Sequence, residues 1–127
     1  MATVSAAAQA NPIGAKLYSL TETSSKISDA APTMATSGGL IIQVEIDNTA
    51  NSSAAYLNLY DVAGGAAVTV GTTDESFVFK VPAGSKTTYS CPDGSEYANG
   101  LKGAIVASPG SSIGPGASVT AYILATT

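Results

Sequence analysis

Short runs of alternating apolar and polar residues, separated by turn residues, constrain the fold of this chain most strongly. In residues 40–47, Ile42, Val44 and Ile46 are predicted to lie on one face, with polar side chains on the other. An alternation with a period of two residues is typical of a half-buried β-strand. Comparable β-rich runs recur at residues 16–23, 55–61, 66–70, 76–81, 86–90, 101–107 and 119–123.

Clusters of proline, glycine and small polar residues end these runs. Pro82-Ala83-Gly84 and Cys91-Pro92-Asp93-Gly94 are turn signals, because proline fixes φ and glycine allows the chain to reverse. No helical pattern alternates with the strands. The sequence therefore predicts an all-β protein: an antiparallel β-sandwich of about seven or eight strands, with Greek-key or jelly-roll-like connections.

Small residues dominate the composition and divide the chain into an arm and a domain. Alanine, glycine, serine and threonine account for 65 of the 127 residues. Residues 1–15 contain few side chains that could stabilise an ordered structure. We expect them to form an extended N-terminal arm that is mobile alone and ordered by a neighbouring subunit. Residues 16–127 are expected to form a single β-sandwich domain, with long loops at residues 24–39 and 108–116.

The missing residue types exclude several kinds of chemistry. The chain has no histidine, no arginine, one cysteine and a formal net charge of −4. Histidine-based triads, cysteine-based zinc sites and disulfide bonds within the chain are therefore excluded, and the acidic balance disfavours nucleic-acid binding. We predict that the protein is not an enzyme and takes no cofactor, metal ion or small-molecule substrate.

Two groups of acidic residues could have either a structural role or a chemical one. Glu45 and Asp47 share the polar face of one predicted strand, where a solvent-exposed pair is favoured over a catalytic one. Asp93, Ser95 and Glu96 lie in a predicted turn whose oxygen atoms are of the kind that bind Ca²⁺. An ordinary polar turn is the favoured interpretation there.

Nothing in the sequence indicates insertion into a membrane or secretion. No run approaches the roughly 18 apolar residues of a membrane-spanning helix. The first positive charge, Lys16, follows the small apolar N-terminal segment instead of preceding it, so no signal peptide is expected. The free Cys91 fits synthesis in a reducing cytoplasm.

Two tyrosines on one predicted strand leave three interpretations open. In residues 55–61, Leu57 and Leu59 are predicted to face inward, whereas Tyr56, Asn58 and Tyr60 share the other face. That face is a second buried surface of the sandwich, a subunit interface, or a platform on which a sugar binds beside an amide.

A series of strand and turn motifs follows in residues 40–125. In chain order they are Tyr56-Leu57-Asn58-Leu59-Tyr60-Asp61, Val70-Gly71-Thr72-Thr73, Phe77-Val78-Phe79-Lys80-Val81-Pro82-Ala83-Gly84, Pro92-Asp93-Gly94, Tyr97-Ala98-Asn99-Gly100-Leu101 and Ala104-Ile105-Val106. This order resembles small β-sandwich virion proteins of tailed bacteriophages, of the capsid decoration or cement type. The chain departs from the pattern at Asp74-Glu75, where a β-branched residue or proline often follows the glycine-threonine turn.

The resemblance implies a structural virion protein that binds the outer surface of a phage head and stabilises contacts between capsomers. The expected partners are the major capsid protein and further copies of the chain, as a trimer or dimer. The expected location is the virion capsid surface, after synthesis in the host cytoplasm. A tail, neck or fibre component is one alternative, and a carbohydrate-binding or adhesin-like module is another. The candidate interface residues are Ala6, Ala7, Ala8, Pro12, Ile13, Tyr56, Tyr60, Ile113 and Pro115.

Overall fold

The computed structural model describes residues 2–8, 15–27 and 30–126, with the backbone alone for residues 6–8. Within these residues the protein is all-β, with nine strands and no helix. The strands are β1 (Thr3–Ala8), β2 (Lys16–Glu22), β3 (Thr33–Ala35), β4 (Gly39–Asp47), β5 (Ala55–Tyr60), β6 (Phe77–Val81), β7 (Lys86–Tyr97), β8 (Leu101–Val106) and β9 (Val119–Ala125).

The strands pair in a nested order that defines the architecture. Four antiparallel pairs join β2 with β9, β3 with β8, β4 with β7, and β5 with β6. β4 also pairs with β9, and β5 with β8, which gives a five-stranded sheet β1-β2-β9-β4-β7 and a four-stranded sheet β3-β8-β5-β6. A double sheet of eight strands connected in this way is a jelly roll, to which β1 adds one edge strand. The predicted antiparallel β-sandwich is therefore confirmed.

The two sheets enclose the main hydrophobic core. Alternate side chains point into it because successive residues of a strand face opposite sides of the sheet. Its large, fully buried members include Leu20, Ile41, Ile46, Leu57, Leu59, Tyr97, Leu101, Ile105 and Ile123. Phe77 and Phe79 of β6 pack against this core, as the alternation in residues 76–81 predicts.

A second apolar cluster covers the outer face of the four-stranded sheet. Tyr60 and Val106 pack there against Val68 and Val70, which come from the connection between β5 and β6. Every residue of β8 is buried, because both of its faces are covered. On the outer face of the five-stranded sheet, by contrast, Tyr122 of β9 is 38% exposed.

A large bulge between β4 and β7 corrects the prediction that residues 91–94 form a turn at the end of a strand. Gln43 pairs with Ser90 and Ile41 pairs with Ser95, so the four intervening residues of β7 lie opposite a single residue of β4. β7 therefore continues through this segment. The turn-forming residues bend the edge of the sheet instead of ending the strand.

The same bulge changes which side chains of β4 face the core. Val44 and Ile46 are fully buried, as predicted, but Ile41 occupies the core in place of Ile42, which is half-buried. The strict alternation fails here because the pairing register shifts between Ile41 and Gln43.

Two predictions about the connections are also corrected. Residues 66–70, predicted as a short strand, belong to the connection between β5 and β6. Val68 and Val70 are apolar there because they cover a sheet face, not because they pair with another strand. Residues 24–39, predicted as a loop, contain the short strand β3.

Part of the predicted N-terminal arm is a strand of the domain's own sheet. β1 pairs antiparallel with β2 in an unbroken register from Thr3↔Thr21 to Ala8↔Lys16. Residues 3–8 thus have a pairing partner within their own chain, whereas the arm was predicted to find one on a neighbouring subunit. Residues 9–14 of the arm lie outside the described residues.

Candidate functional site

The tyrosine pair predicted as a candidate interface lies mostly inside the protein. Tyr60 is fully buried in the second apolar cluster, and Tyr56 is half-buried beside it. Asn58 between them is also buried and donates from Nδ2 to Glu75 Oε1 over 3.1 Å. These positions fit the interpretation of a second buried surface. They correct the placement of Tyr60 on an exposed interface or sugar platform.

Ile113 and Pro115 lie in the loop between β8 and β9. The loop is held against the connection between β2 and β3, where Ile27 N donates to Ser112 O over 2.8 Å. The side chain of Ile113 is 59% exposed, the highest value among the large apolar side chains described, and Pro115 is half-buried. Ile113 is therefore well placed to contact a partner.

The alanines of the N-terminal segment lie on an edge strand. Ala6, Ala7 and Ala8 form the second half of β1, which stands at the end of the five-stranded sheet with β2 as its neighbour. An edge strand has one side whose backbone N–H and C=O groups are open to pairing. Pro12 and Ile13, the other candidates in this segment, lie outside the described residues.

A shallow groove of about 440 Å³ crosses the outer face of the five-stranded sheet. Leu17, Tyr122 and Leu124 form its apolar part, and Gln43 and Glu45 lie beside them. The strand register explains this arrangement, because Leu17 and Gln43 pair with Leu124 from opposite sides and Glu45 pairs with Tyr122. Three strands that are distant in the sequence thus build one amphipathic surface.

The polar end of the groove carries both signs of charge. Lys86 Nζ lies 3.9 Å from Glu45 Oε1, and their side chains are 53% and 34% exposed. An exposed ion pair of this kind contributes little to stability. Asp47 also lines the groove, and hydrogen bonds from the side chain and backbone of Thr49 to Asp47 Oδ1 lower the pKa of this carboxyl.

The predicted polar turn at Asp93, Ser95 and Glu96 lies in the bulged part of β7. Asp93 and Glu96 are exposed, and Ser95 is half-buried. In the described part of the chain, no three histidine, cysteine, aspartate or glutamate side chains are grouped so that they could hold a metal ion.

Sequence reasoning missed the groove around Tyr122. The only local signal is the pair of carboxylates at Glu45 and Asp47 on the polar face of one strand. Their apolar neighbours, Leu17 and Tyr122, come from the second and last strands. Only the pairing of β2, β9 and β4 brings these residues together.

Comparisons with known proteins identify no relative of this chain. A scan against protein-family models, a search of curated proteins and a search of solved structures each found no match. Over the ranges that the structure describes, no helix is long and apolar enough to span a membrane. The functional conclusion therefore depends on the geometry and on the sequence pattern.

Proposed function

We propose that the protein is a structural component of a tailed-phage virion, namely a decoration or cement protein on the outer surface of the head. The observation that carries the proposal is the form of the domain. It is a jelly roll whose loops are hydrogen-bonded together at both ends, and among the described strands β1 pairs on one side alone. A fold alone does not define a function. The motif order resembling small β-sandwich virion proteins supplies the second support.

Polar side chains fix the loops at the two ends of the sandwich. At one end, the fully buried Asn48 donates from Nδ2 to Ser53 O over 2.9 Å and to Pro82 O over 3.1 Å. At the other end, the Asp61 carboxylate accepts hydrogen bonds from Ala98 N and from the next backbone N–H, each at 2.8 Å. These bonds make the domain a rigid block, which suits a component that must present the same surface many times on a shell.

The proposed contacts use the exposed parts of this block. The Ile113 loop is the surface offered to the major capsid protein, and the edge of β1 is the surface offered to sister subunits. Partners that bind only the folded chain stabilise it by mass action. The net charge of −4 suits a position outside the shell, because it repels the phosphates of packaged DNA.

Phage heads that lack the protein test this proposal when they are incubated with the purified chain. We expect saturable, stoichiometric binding and an increased resistance of the heads to heat. Ile113→Asp should weaken binding, whereas Val78→Asp, at an exposed apolar position on the edge strand β6, serves as the matched control. A folded chain that does not bind to such heads would contradict the proposal.

A place in the tail, neck or fibre is a variant of the same proposal. The rigid jelly roll and its open edge suit any repeated contact within a virion. Immunogold labelling of intact particles distinguishes the variants, since a decoration protein labels the head and a tail component labels the tail.

The groove favours a second candidate function, a carbohydrate-binding module. Tyr122 and Leu124 offer an apolar surface to the C–H face of a sugar ring, and Gln43 and Glu45 lie where they can bond to its hydroxyl groups. The candidate site is therefore this groove and not the face that carries Tyr56. On a glycan array, Tyr122→Ala should abolish binding and Val78→Ala should leave it unchanged. The absence of binding to any glycan on the array would rule out this second function.

A further inference from the structure

The edges of the two sheets differ in how they are protected against pairing with another chain. The five-stranded sheet ends in β1 and β7, and the four-stranded sheet ends in β3 and β6. An unprotected edge strand is a template for a further strand, and proteins block such edges with charge, proline, bulges or very short strands.

Three of the four edges carry such protection. The β7 edge is interrupted by its bulge, which contains Pro92 and Gly94 with a positive φ of 79°. β3 has three residues, and its register shifts between Thr33 and Ala35. β6 has five residues, carries the exposed Lys80 and is followed directly by a proline.

Among the residues that the structure describes, β1 has none of these protections. Its six residues, Thr3–Ala8, contain no charge and no proline, and their pairing with β2 is continuous. In an antiparallel strand, alternate residues bond to one neighbour, so three of the six direct their N–H and C=O groups away from β2. Two identical edges of this kind are complementary to each other when they run antiparallel about a two-fold axis.

We propose that the open edge of β1 pairs antiparallel with β1 of a second copy of this chain. The product is a two-fold dimer in which two five-stranded sheets join into one continuous sheet. Each chain keeps its own β1–β2 pairing. Because both β1 edges are used once in the dimer and the other three edges are protected, assembly stops at two chains. This inference does not depend on the virion role, since it concerns the purified chain alone.

Sedimentation and amide hydrogen exchange of the full-length chain test the pairing. We expect a mass near twice the 12.5 kDa of the chain. In the dimer, consecutive amides of β1 should be protected, and every second one should lose its protection on dilution. Amides on the outer edge of β7 should stay unprotected at every concentration.

Proline at an outward-facing position provides the decisive variant. Hydrogen exchange shows which amide, that of Ser5 or that of Ala6, loses its protection on dilution. Proline at that position should give a monomer in which the amides that pair with β2 stay protected. The two candidate variants are Ser5→Pro and Ala6→Pro. Ser5→Lys should weaken the dimer by roughly fivefold through like-charge repulsion, and Val78→Lys on β6 should not. A chain that stays monomeric overturns the proposal. A dimer with only alternate β1 amides protected also overturns it, since its interface lies elsewhere or β1 is exchanged between copies.

Discussion

Asn51 Nδ2 donates a hydrogen bond to Asn48 Oδ1 over 2.8 Å, and this pair joins three connections at one end of the jelly roll. Asn48 in turn donates to Ser53 O and Pro82 O, and Asn51 Nδ2 also reaches Ala117 O at 3.2 Å. The connections that follow β4, β6 and β8 are thereby fixed relative to one another. The proposed rigidity of the domain depends on such ties.

Replacing the buried asparagine should therefore destabilise the fold. Asn48→Ala removes two donated hydrogen bonds and leaves the carbonyl groups of Ser53 and Pro82 and the amide of Asn51 without this partner. We expect a loss of about 2–4 kcal/mol in the free energy of unfolding, measured by denaturant titration. Ser52→Ala, an exposed change in the same loop, should alter it by less than about 0.5 kcal/mol. Equal effects of the two variants would contradict this role of Asn48.

The Asp61 carboxylate should make stability depend on pH in the acidic range. Burial raises the pKa of Asp61, but hydrogen bonds from the backbone N–H groups of Ala98, Asn99 and Gly100 and from the Asn99 side chain lower it, and the pKa lies below its ordinary value. The stabilisation is therefore present above the unfolded-state pKa of about 3.9 and is lost as the pH falls through the folded-state pKa.

Asp61→Asn tests this dependence. The variant should lose about 0.5–1 kcal/mol of stability at neutral pH, since solvent screens this accessible carboxylate, and its deficit relative to the natural chain should shrink below about pH 4. Thermal unfolding at a series of pH values measures both effects. Asp93→Asn, which removes an exposed carboxylate, controls for the change in net charge. A deficit for Asp61→Asn that persists unchanged into acid would show that the carboxylate is not its cause.

Gly114 should tolerate no side chain, because the backbone of another loop approaches it closely. A Cβ at this position would collide with the Ser24 carbonyl group, and the Gly114 N–H already donates to Ser25 O over 2.9 Å. Gly114→Ala should cost about 1–3 kcal/mol by overpacking. Gly65→Ala provides the control, since its Cβ would meet open space, and it should be neutral or slightly stabilising. The melting temperatures of the two variants test this prediction, and equal values would contradict it.

Two buried tyrosines should respond oppositely to loss of their hydroxyl groups. Among the described residues, the Tyr60 hydroxyl and the Asn58 side-chain oxygen are both buried without a hydrogen-bond partner. Burial raises the pKa of Tyr60, and the nearby Asn58 side chain lowers it by less. The Tyr97 hydroxyl instead donates to Thr126 O at 2.5 Å. Tyr60→Phe should be neutral or stabilise by up to about 1 kcal/mol, whereas Tyr97→Phe should cost about 1 kcal/mol. Chemical denaturation of both variants checks the contrast, and a large loss in Tyr60→Phe would contradict it.

The fold class was accessible from the sequence because it depends on local alternation. The pattern around Val44 and Ile46 predicts an antiparallel strand without knowledge of its neighbours. The bulge that brings Ile41 into the core was not accessible, since it arises where β4 meets four turn-forming residues of β7. The sequence shows that these residues favour a turn, but it does not show that they lie inside a paired edge strand.

The candidate surfaces depend still more on pairing over long distances in the sequence. The alternation of residues 55–61 places Tyr60 on the second face of the strand, but only the distant Val68 and Val70 determine that this face is covered. Likewise, Tyr122 meets Glu45 only through the register of β4 with β9. Ile113 was predicted as a contact residue from its loop, and its exposure leaves that hypothesis open to test.

The composition of purified virions tests the proposed function most directly. Quantitative mass spectrometry of gradient-purified particles, from a phage that carries this chain, measures its copy number relative to the major capsid protein. We expect the chain at a fixed ratio to that protein, retained through repeated purification and lost only when the heads are dissociated. Its absence from infectious particles, while it is present in the infected cell, would contradict a structural virion role.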